Sequence, residues 1–277
     1  MRKLVFITIA FAFHYVAIAQ PEVPVEQWKN RTILLIAAHP DDDVYSMGTL
    51  AMLNANGNEV YEVILTTGNV GTHDPKLGTM DMARIRKQEE QDALKTLGIP
   101  AEHYFNLGYD DGMLEYENKK EVVEKLVRKI REIRPDVLFI FDPGKGSQRW
   151  HKADHRSASY LAADAARAAM WRLMFQGHIT IDGLQAHEVR EFVLFDSAEE
   201  DINMVVDISD WEETKVEAFS KYASQFGSGL YDYQGPDIPQ EEIEQIKEML
   251  RGWMPRVDGK AIEGFRYHKG SVEEIGR

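Results

Sequence analysis

Two apolar runs, TILLIAA at 32–38 and VLFIF within DVLFIFDP at 136–143, constrain the fold more than any other feature of the chain. A strand without polar alternation has to be covered on both faces, as a parallel strand inside an α/β sheet is. The chain between them provides the covers. Residues 44–56 have helical periodicity and stop at Gly57, residues 80–97 form a charged amphipathic pattern that ends at Gly98, and residues 117–133 form another stopped by Pro135. Strand-like segments at 59–66 and 104–107 alternate with these helices. Further on, an Ala-rich helix is expected over 154–174, strands over 189–195 and 204–206, a helix over 210–225, and a Glu- and Lys-rich surface helix over 239–251 followed by a tail. No repeat or low-complexity segment divides the chain, so residues 31–277 are expected to form a single domain behind a Pro-containing linker at 20–30. The class is α/β: a mostly parallel sheet with helices on both faces and a ligand crevice outside the carboxyl ends of its strands.

The N-terminus is read separately. Arg2 and Lys3 precede an apolar stretch over 4–18, and Ala17-Ile18-Ala19 offers the small residues of a cleavage site, so residues 1–19 are expected to be a cleaved signal peptide of an exported protein. An uncleaved anchor fits less well, because the stretch is short for a span and His14 interrupts it. The chain has no cysteine, which excludes a lipoprotein anchor, disulfides, thiolate ligands and a cysteine nucleophile. Any metal site must then be built from His and carboxylates. With 32 basic and 46 acidic residues, the formal net charge of −14 disfavours nucleic acid and anionic membrane surfaces as partners, and the mature chain is not expected to insert into a membrane. Nothing in the sequence specifies an oligomeric state.

After the first apolar run, AAHPDDDVYS at 37–46 places one histidine and three consecutive aspartates at a strand end. Adjacent carboxylates repel, and burial raises the cost unless a cation or hydrogen-bond donors compensate. In a tight strand-to-helix turn, His39 and Asp42 can reach one point above the sheet edge while Asp41 faces the same cavity. A catalytic zinc takes three protein ligands and keeps one position for water. The third ligand is expected from another strand end, and His155, in HKADHRSAS at 151–159, follows the second apolar run at the start of the Ala-rich helix. His39, Asp42 and His155 are therefore candidate ligands for Zn²⁺ or another divalent ion, with Asp41 the candidate general base for a metal-activated water. Each half alone also suits a plainer role: Asp42 or Asp43 as a helix cap, Asp154-His155 as a cap beside a surface histidine. Their joint position at the expected crevice favours a metal.

The chain resembles the LmbE-like/PIG-L zinc-dependent N-deacetylases. The likeness lies in AAHPDDD, LTTGNVG at 65–71, RIRKQEEQDALKTLGI at 84–99, LGYDDGML at 107–114, Asp154-His155 and VDISDWEETKVEAFSKYASQ at 206–225, all in the family's order. The resemblance implies a Rossmann-like three-layer α/β/α sandwich, a catalytic Zn²⁺, and removal of the acetyl group from an N-acetylglucosamine-type sugar or glycoconjugate. It makes His39, Asp42 and His155 the metal ligands, Asp41 the general base, and Arg86 and Asp111 substrate contacts. In plainer readings Arg86 pairs with Glu89 or Glu90 on a helix surface, and Asp111 shapes the turn before Gly112.

Two departures from the family pattern matter. Asp43 stands where Glu is frequent, a change that bears on the support behind the ligands. The segment HKADH at 151–155 is one residue longer than the usual His-x-Asp/Asn-His, whose first His stabilises the tetrahedral oxyanion. Either His151 reaches the site through a bulged loop, the favoured assignment, or Lys152, which aligns without a gap, brings the positive charge. Asp154 is suited to orient a histidine from behind. The irregular spacing also motivates a rival, an exported carbohydrate-binding protein on the same fold that has lost turnover. Another keeps the metal site but acts as an amidase on a different amide-bearing glycoconjugate. A nucleotide-binding domain is unsupported, because no G-x-G-x-x-G follows the first strand. His73, His103, His178, His187 and His268 stand isolated and read as structural or surface residues. EGFRYHKG at 263–270 resembles a family C-terminal segment that either closes over the pocket or packs. Trp150 and Trp171 could stack on a sugar, although Trp171 suits a core position in the Ala-rich helix.

Overall fold

Five strands run parallel through the middle of the fold: β1 (Thr32–Ala37), β2 (Glu59–Thr66), β3 (Tyr104–Tyr109), β4 (Val137–Phe141) and β5 (Glu191–Phe195), in the order β3-β2-β1-β4-β5. They belong to a computed structural model that describes residues 20–146, 151–235 and 238–276; the expected leader and Trp150 lie outside the described residues. Every residue of β4, and every residue of β1 after Thr32, is buried, as uninterrupted apolar strands require. The connections contain α1 (Met47–Ala55), α2 (Thr79–Thr96), α3 (Lys119–Ile133), α4 (Ala153–Met170) and the single turn α5 (Gly177–Thr180). The strand order reverses beside β1, so the crevice opens between the carboxyl ends of β1 and β4.

The C-terminal part adds β6 (Met204–Asp207), α6 (Glu212–Phe219), α7 (Gln240–Trp253), the short β7 (Arg256–Val257) and the long β8 (Lys260–Lys269). Helices α3 and α4 pack together on one face of the sheet, while α6 packs with α1, α2 and α7 on the other, giving three layers. The expected tail is the main correction. β8 lies inside the sheet, antiparallel to both β5 and β6, and β7 pairs with its start. Its charged residues disguise it, because Glu263 and Arg266 are buried with dedicated partners: Lys215 Nζ meets Glu263 Oε1 at 2.7 Å, and Arg266 Nε meets Asp142 Oδ2 at 2.8 Å. The 263–270 segment therefore packs as a strand.

Smaller differences have local causes. Residues 42–45 form a 3₁₀ turn before α1, and the expected 210–225 helix breaks after Phe219 and resumes as a 3₁₀ turn over Ala223–Gln225. The Ala-rich helix stops at Met170, so Trp171 leaves the helical face and is 50% exposed instead of joining the core. The 20–30 segment is anchored, with Val25 and Trp28 in the core and the Arg31 guanidinium 4.3 Å over the Trp28 ring. The isolated histidines serve locally; His187 Nε2 and His268 Nε2, for example, meet the carbonyls of Pro135 and Ser271 at 2.7 and 3.0 Å. No helix among the described residues is long and apolar enough to cross a membrane.

Candidate active site

The turn after β1 is built by Asp42. Its Oδ2 accepts the backbone N–H groups of Ala38 at 3.0 Å and His39 at 2.7 Å, which folds the chain back over the strand end. The residue in between absorbs the bend: Asp41 has φ 110°, ψ −13°. That left-handed conformation costs a non-glycine residue about 1–3 kcal/mol and persists only where the surroundings fix it. Here α2 provides the fixing. The Asp41 N–H donates to Glu90 Oε2 at 3.0 Å, and its carboxylate meets Arg86 Nη2 at 3.0 Å. Burial pushes the Asp41 carboxyl up while the Arg86 guanidinium pulls it down.

His39, Asp42 and His155 converge at this edge, each offering a ligand atom within 4.8 Å of the others. His39 Nδ1 lies 3.5 Å from Asp42 Oδ2, and His155 Nε2 lies 3.1 Å from Asp42 Oδ1. Tetrahedral zinc, with bonds of about 2.0–2.1 Å, spaces its ligand atoms about 3.3 Å apart, so the donor set fits such an ion. The other nitrogen of His39 supports this geometry: Nε2 is 2.9 Å from Asp111 Oδ1 and 3.2 Å from Asp154 Oδ2. Ionised carboxylates only accept, so Nε2 carries a proton there, which leaves Nδ1 as the nitrogen that a metal ion beside Asp42 would take in place of a proton. Asp154 is itself fixed by the N–H groups of Gly112 at 2.7 Å and Leu114 at 3.2 Å, and the His155 ring stacks on Phe141 at 4.2 Å.

The charges agree with the geometry. Burial alone would push Asp42 up, but the His155 and His39 imidazoles hold its carboxyl well below the usual range. Burial disfavours a charge on His39, yet Asp111, Asp154 and Asp42 raise it well above 6.5. Surroundings that draw a proton this strongly also draw a metal cation. Two overlapping groups, His151–His155–Asp196 and His39–Asp111–Asp154, have similar spacing but poorer chemistry. In the first, His151 Nδ1 is 3.1 Å from Asp196 Oδ2 and Nε2 is 3.0 Å from the Asp142 carbonyl, so both nitrogens already face acceptors. In the second, two carboxylates share one His39 N–H.

Arg86 is fully buried and meets Asp41, not a neighbour on an open helix surface. Asp111 is half-withdrawn beside His39. Lys152 is exposed just before α4, and its charge is felt at Asp41. Behind the turn lie residues to which sequence reasoning gave no role. The Tyr222 hydroxyl is 2.8 Å from Asp43 Oδ1 and 3.1 Å from Glu90 Oε2, and the buried Glu62 completes a group of three carboxylates. Asp43 therefore backs the turn instead of capping a helix, and burial pushes its carboxyl up to about 7. Ser224 gives its N–H and hydroxyl to Glu89, each at 2.7 Å. The available signals were Glu89-Glu90 and the Tyr222-Ala223-Ser224-Gln225 segment.

Comparison with known proteins agrees with this geometry. The family model described as PIG-L, GlcNAc-PI de-N-acetylase, matches residues 34–166. The chain is 30% identical over 207 residues to diacetylchitobiose deacetylase of Thermococcus kodakarensis, covering 74% of each protein. It is also 30% identical over 263 residues to 1D-myo-inositol 2-acetamido-2-deoxy-alpha-D-glucopyranoside deacetylase 1 of Catenulispora acidiphila, covering 76% of this chain and 81% of that one. Among solved structures, N,N'-diacetylchitobiose deacetylase from Pyrococcus horikoshii, complexed with its inhibitor MPG, superposes with a TM-score of 0.72 at 28% identity over 87% of this chain and 84% of that one. The chain belongs to the PIG-L, or LmbE-like, family of deacetylases.

Proposed function

We propose that the protein is an exported, zinc-dependent hydrolase that removes the N-acetyl group from an N-acetylglucosamine-type sugar or glycoconjugate. The observation that carries this reading is the His39–Asp42–His155 donor set with Asp41 fixed beside it by buried Arg86. The named activities of the relatives support the substrate class, and Arg2, Lys3 and the apolar stretch before Gln20 support export. His39 Nδ1, one Asp42 oxygen and His155 Nε2 would hold the ion, which when bound lowers the pKa of a water and polarises an amide carbonyl. Asp41 takes the proton from the attacking water and delivers it to the leaving amine. Arg86, withdrawn behind Asp41, holds the base in line, and Asp111 is assigned to a sugar hydroxyl. For the developing oxyanion, Lys152 fits better than His151: it is exposed and its charge reaches Asp41, whereas both His151 nitrogens are engaged.

The test is acetate release from N,N'-diacetylchitobiose by purified protein of measured metal content. The Asp41→Asn variant should keep its metal and lose about 10²- to 10⁴-fold in kcat. Lys152→Met should cost more in kcat than His151→Gln. Metal-replete wild type that frees no acetate from any acetamido sugar overturns the reading. The rival of a sugar-binding protein without turnover is favoured by the long HKADH spacing, and it requires retention of the sugar with no acetate. Export is tested by sequencing the secreted chain, whose first residue should be Gln20.

A further inference from the structure

A cavity of about 570 Å³ opens between the 42–45 turn, α6, α7 and β8. Its wall is mainly hydrocarbon, with Val44, Tyr45, Phe219, Leu250, Trp253 and Ile262 among its lining. The charges in it are already spent on protein partners or stand at the rim. Lys215 Nζ and Glu263 Oε1 neutralise each other at 2.7 Å, and Glu263 also accepts the N–H groups of Gly48 and Thr49 at 3.0 and 2.8 Å. Asp196 binds His151, and Glu199 is exposed. Three apolar groups of the wall nevertheless face water, with Tyr45 at 36%, Val205 at 52% and Trp253 at 62% exposure. Concave apolar surface left open in this way marks a ligand site more often than a packing fault.

Two features join the cavity to the chemistry. Asp196 lines it while holding His151, and Val44 and Tyr45 directly follow the Asp41-Asp42-Asp43 turn. The Tyr45 ring stacks on Phe195 at 5.7 Å and meets Phe141 edge-on at 5.9 Å, and Phe141 stacks on the candidate ligand His155 at 4.2 Å. Through the buried Phe141 ring the candidate ligand His155 is thus packed against Tyr45, a residue of the cavity wall. Neither this cavity nor a second one of about 710 Å³ beside α2 is lined by His39, Asp41, Asp42 or His155, but the second also lacks Asp196 and every residue of the 37–46 segment.

We propose that the 570 Å³ cavity is an aglycone subsite, binding an alkyl or aryl group carried by the same acetamido sugar whose acetyl group meets His39, Asp42 and His155. The proposal rests on the deacetylase reading and narrows its substrate class to glycoconjugates with an apolar aglycone.

The experiment compares methyl, butyl and octyl 2-acetamido-2-deoxyglucosides below their micelle concentrations, following acetate release and, separately, calorimetric binding. Each methylene taken up should raise kcat/KM about fourfold until the cavity is full, so the octyl-to-methyl ratio should exceed roughly 100. Val205→Asp puts a charge on the exposed wall at little risk to folding, and Trp253→Ala removes part of the rim; both should collapse that ratio. Equal kcat/KM for methyl and octyl glycosides, with acetate released from both, overturns the subsite and leaves the deacetylase reading intact. If no glycoside yields acetate, the deacetylase reading fails, and octyl glucoside binding that Val205→Asp abolishes still upholds the cavity as an apolar-group site. Dimerisation abolished by Val205→Asp without any chain-length effect makes the occupant a second copy and also overturns the proposal.

Discussion

Replacing Tyr222 by Phe isolates the support behind the catalytic turn. The ring is fully buried, so Phe fills the same space and only the hydroxyl is lost. That hydroxyl lies between Asp43 Oδ1 at 2.8 Å and Glu90 Oε2 at 3.1 Å, and Glu90 Oε2 also accepts the strained Asp41 N–H at 3.0 Å. Burial pushes both carboxyls up, so the bonds count as neutral ones of about 0.5–1.5 kcal/mol net, and an acceptor left unsatisfied in the interior costs about 1–3 kcal/mol. Crowding compounds the effect, because Asp43, Glu62 and Glu90 stand together as three buried carboxyl groups. Tyr222→Phe should therefore destabilise the fold by about 1–3 kcal/mol, read as a lower urea midpoint at unchanged slope. Once Glu90 is free to drift, Asp41 loses part of its fixing; kcat should fall roughly tenfold, with KM and metal content unchanged. A double-mutant cycle with Glu90→Gln should give a coupling of about 0.5–3 kcal/mol. A Tyr222→Phe protein within about 0.5 kcal/mol of wild type, at full kcat, would refute the brace.

Three further outcomes are expected. His155→Asn should abolish stoichiometric metal binding, measured by elemental analysis of the purified protein, because it removes one of three donors and the main partner that keeps Asp42 ionised. Burial pushes Glu89 from 4.5 up to about 7, so its stabilisation is complete below pH 4.5 and is lost as pH rises through 7; the loss amounts to about 3 kcal/mol. Glu89→Gln should consequently gain on wild type between pH 5 and pH 8 in urea titrations, and a gap that stays constant with pH counts against the assignment. Gly48→Ala should lower stability by about 1–3 kcal/mol, since its new Cβ would sit 2.7 Å from Ile208 Cδ1 and 2.9 Å from Ile208 Cβ; an unchanged melting temperature would show that Ile208 can move aside.

The parallel half of the sheet was legible because burial on both faces leaves a one-dimensional mark: β1 and β4 are continuous apolar runs that no solvent-exposed element would carry. β8 left no such mark. Its interior holds Glu263 and Arg266, which read as surface charge until Lys215, the start of α1 and Asp142 are brought against them by the fold. Those partners lie 48, 215 and 124 residues away along the chain, beyond the reach of any periodicity. Trp171 failed for the reverse reason, since the Ala-rich pattern says where a helix can continue and not where it stops.

The same contrast divides the active site. His39, Asp41 and Asp42 occupy one tight turn, so their spacing along the chain nearly fixes their spacing in space. His151 and His155 do not share that regularity. α4 begins at Ala153, which puts Asp154 and His155 in its first turn, while Lys152 is extended, with φ −51° and ψ 151°. An extended residue sends successive side chains to opposite sides. His151 accordingly turns inward to the Asp142 carbonyl and Asp196, and Lys152 turns out, with its charge still felt at Asp41. On the proposed reading, the extra residue in HKADH exchanges an imidazole for an ammonium whose charge reaches Asp41. An imidazole titrates near neutral pH, so Lys152→His should add a fall in kcat as pH rises between about 6 and 7 to the profile of the parent protein. If Lys152→Met keeps the kcat of the parent while His151→Gln lowers it, His151 stabilises the oxyanion after all.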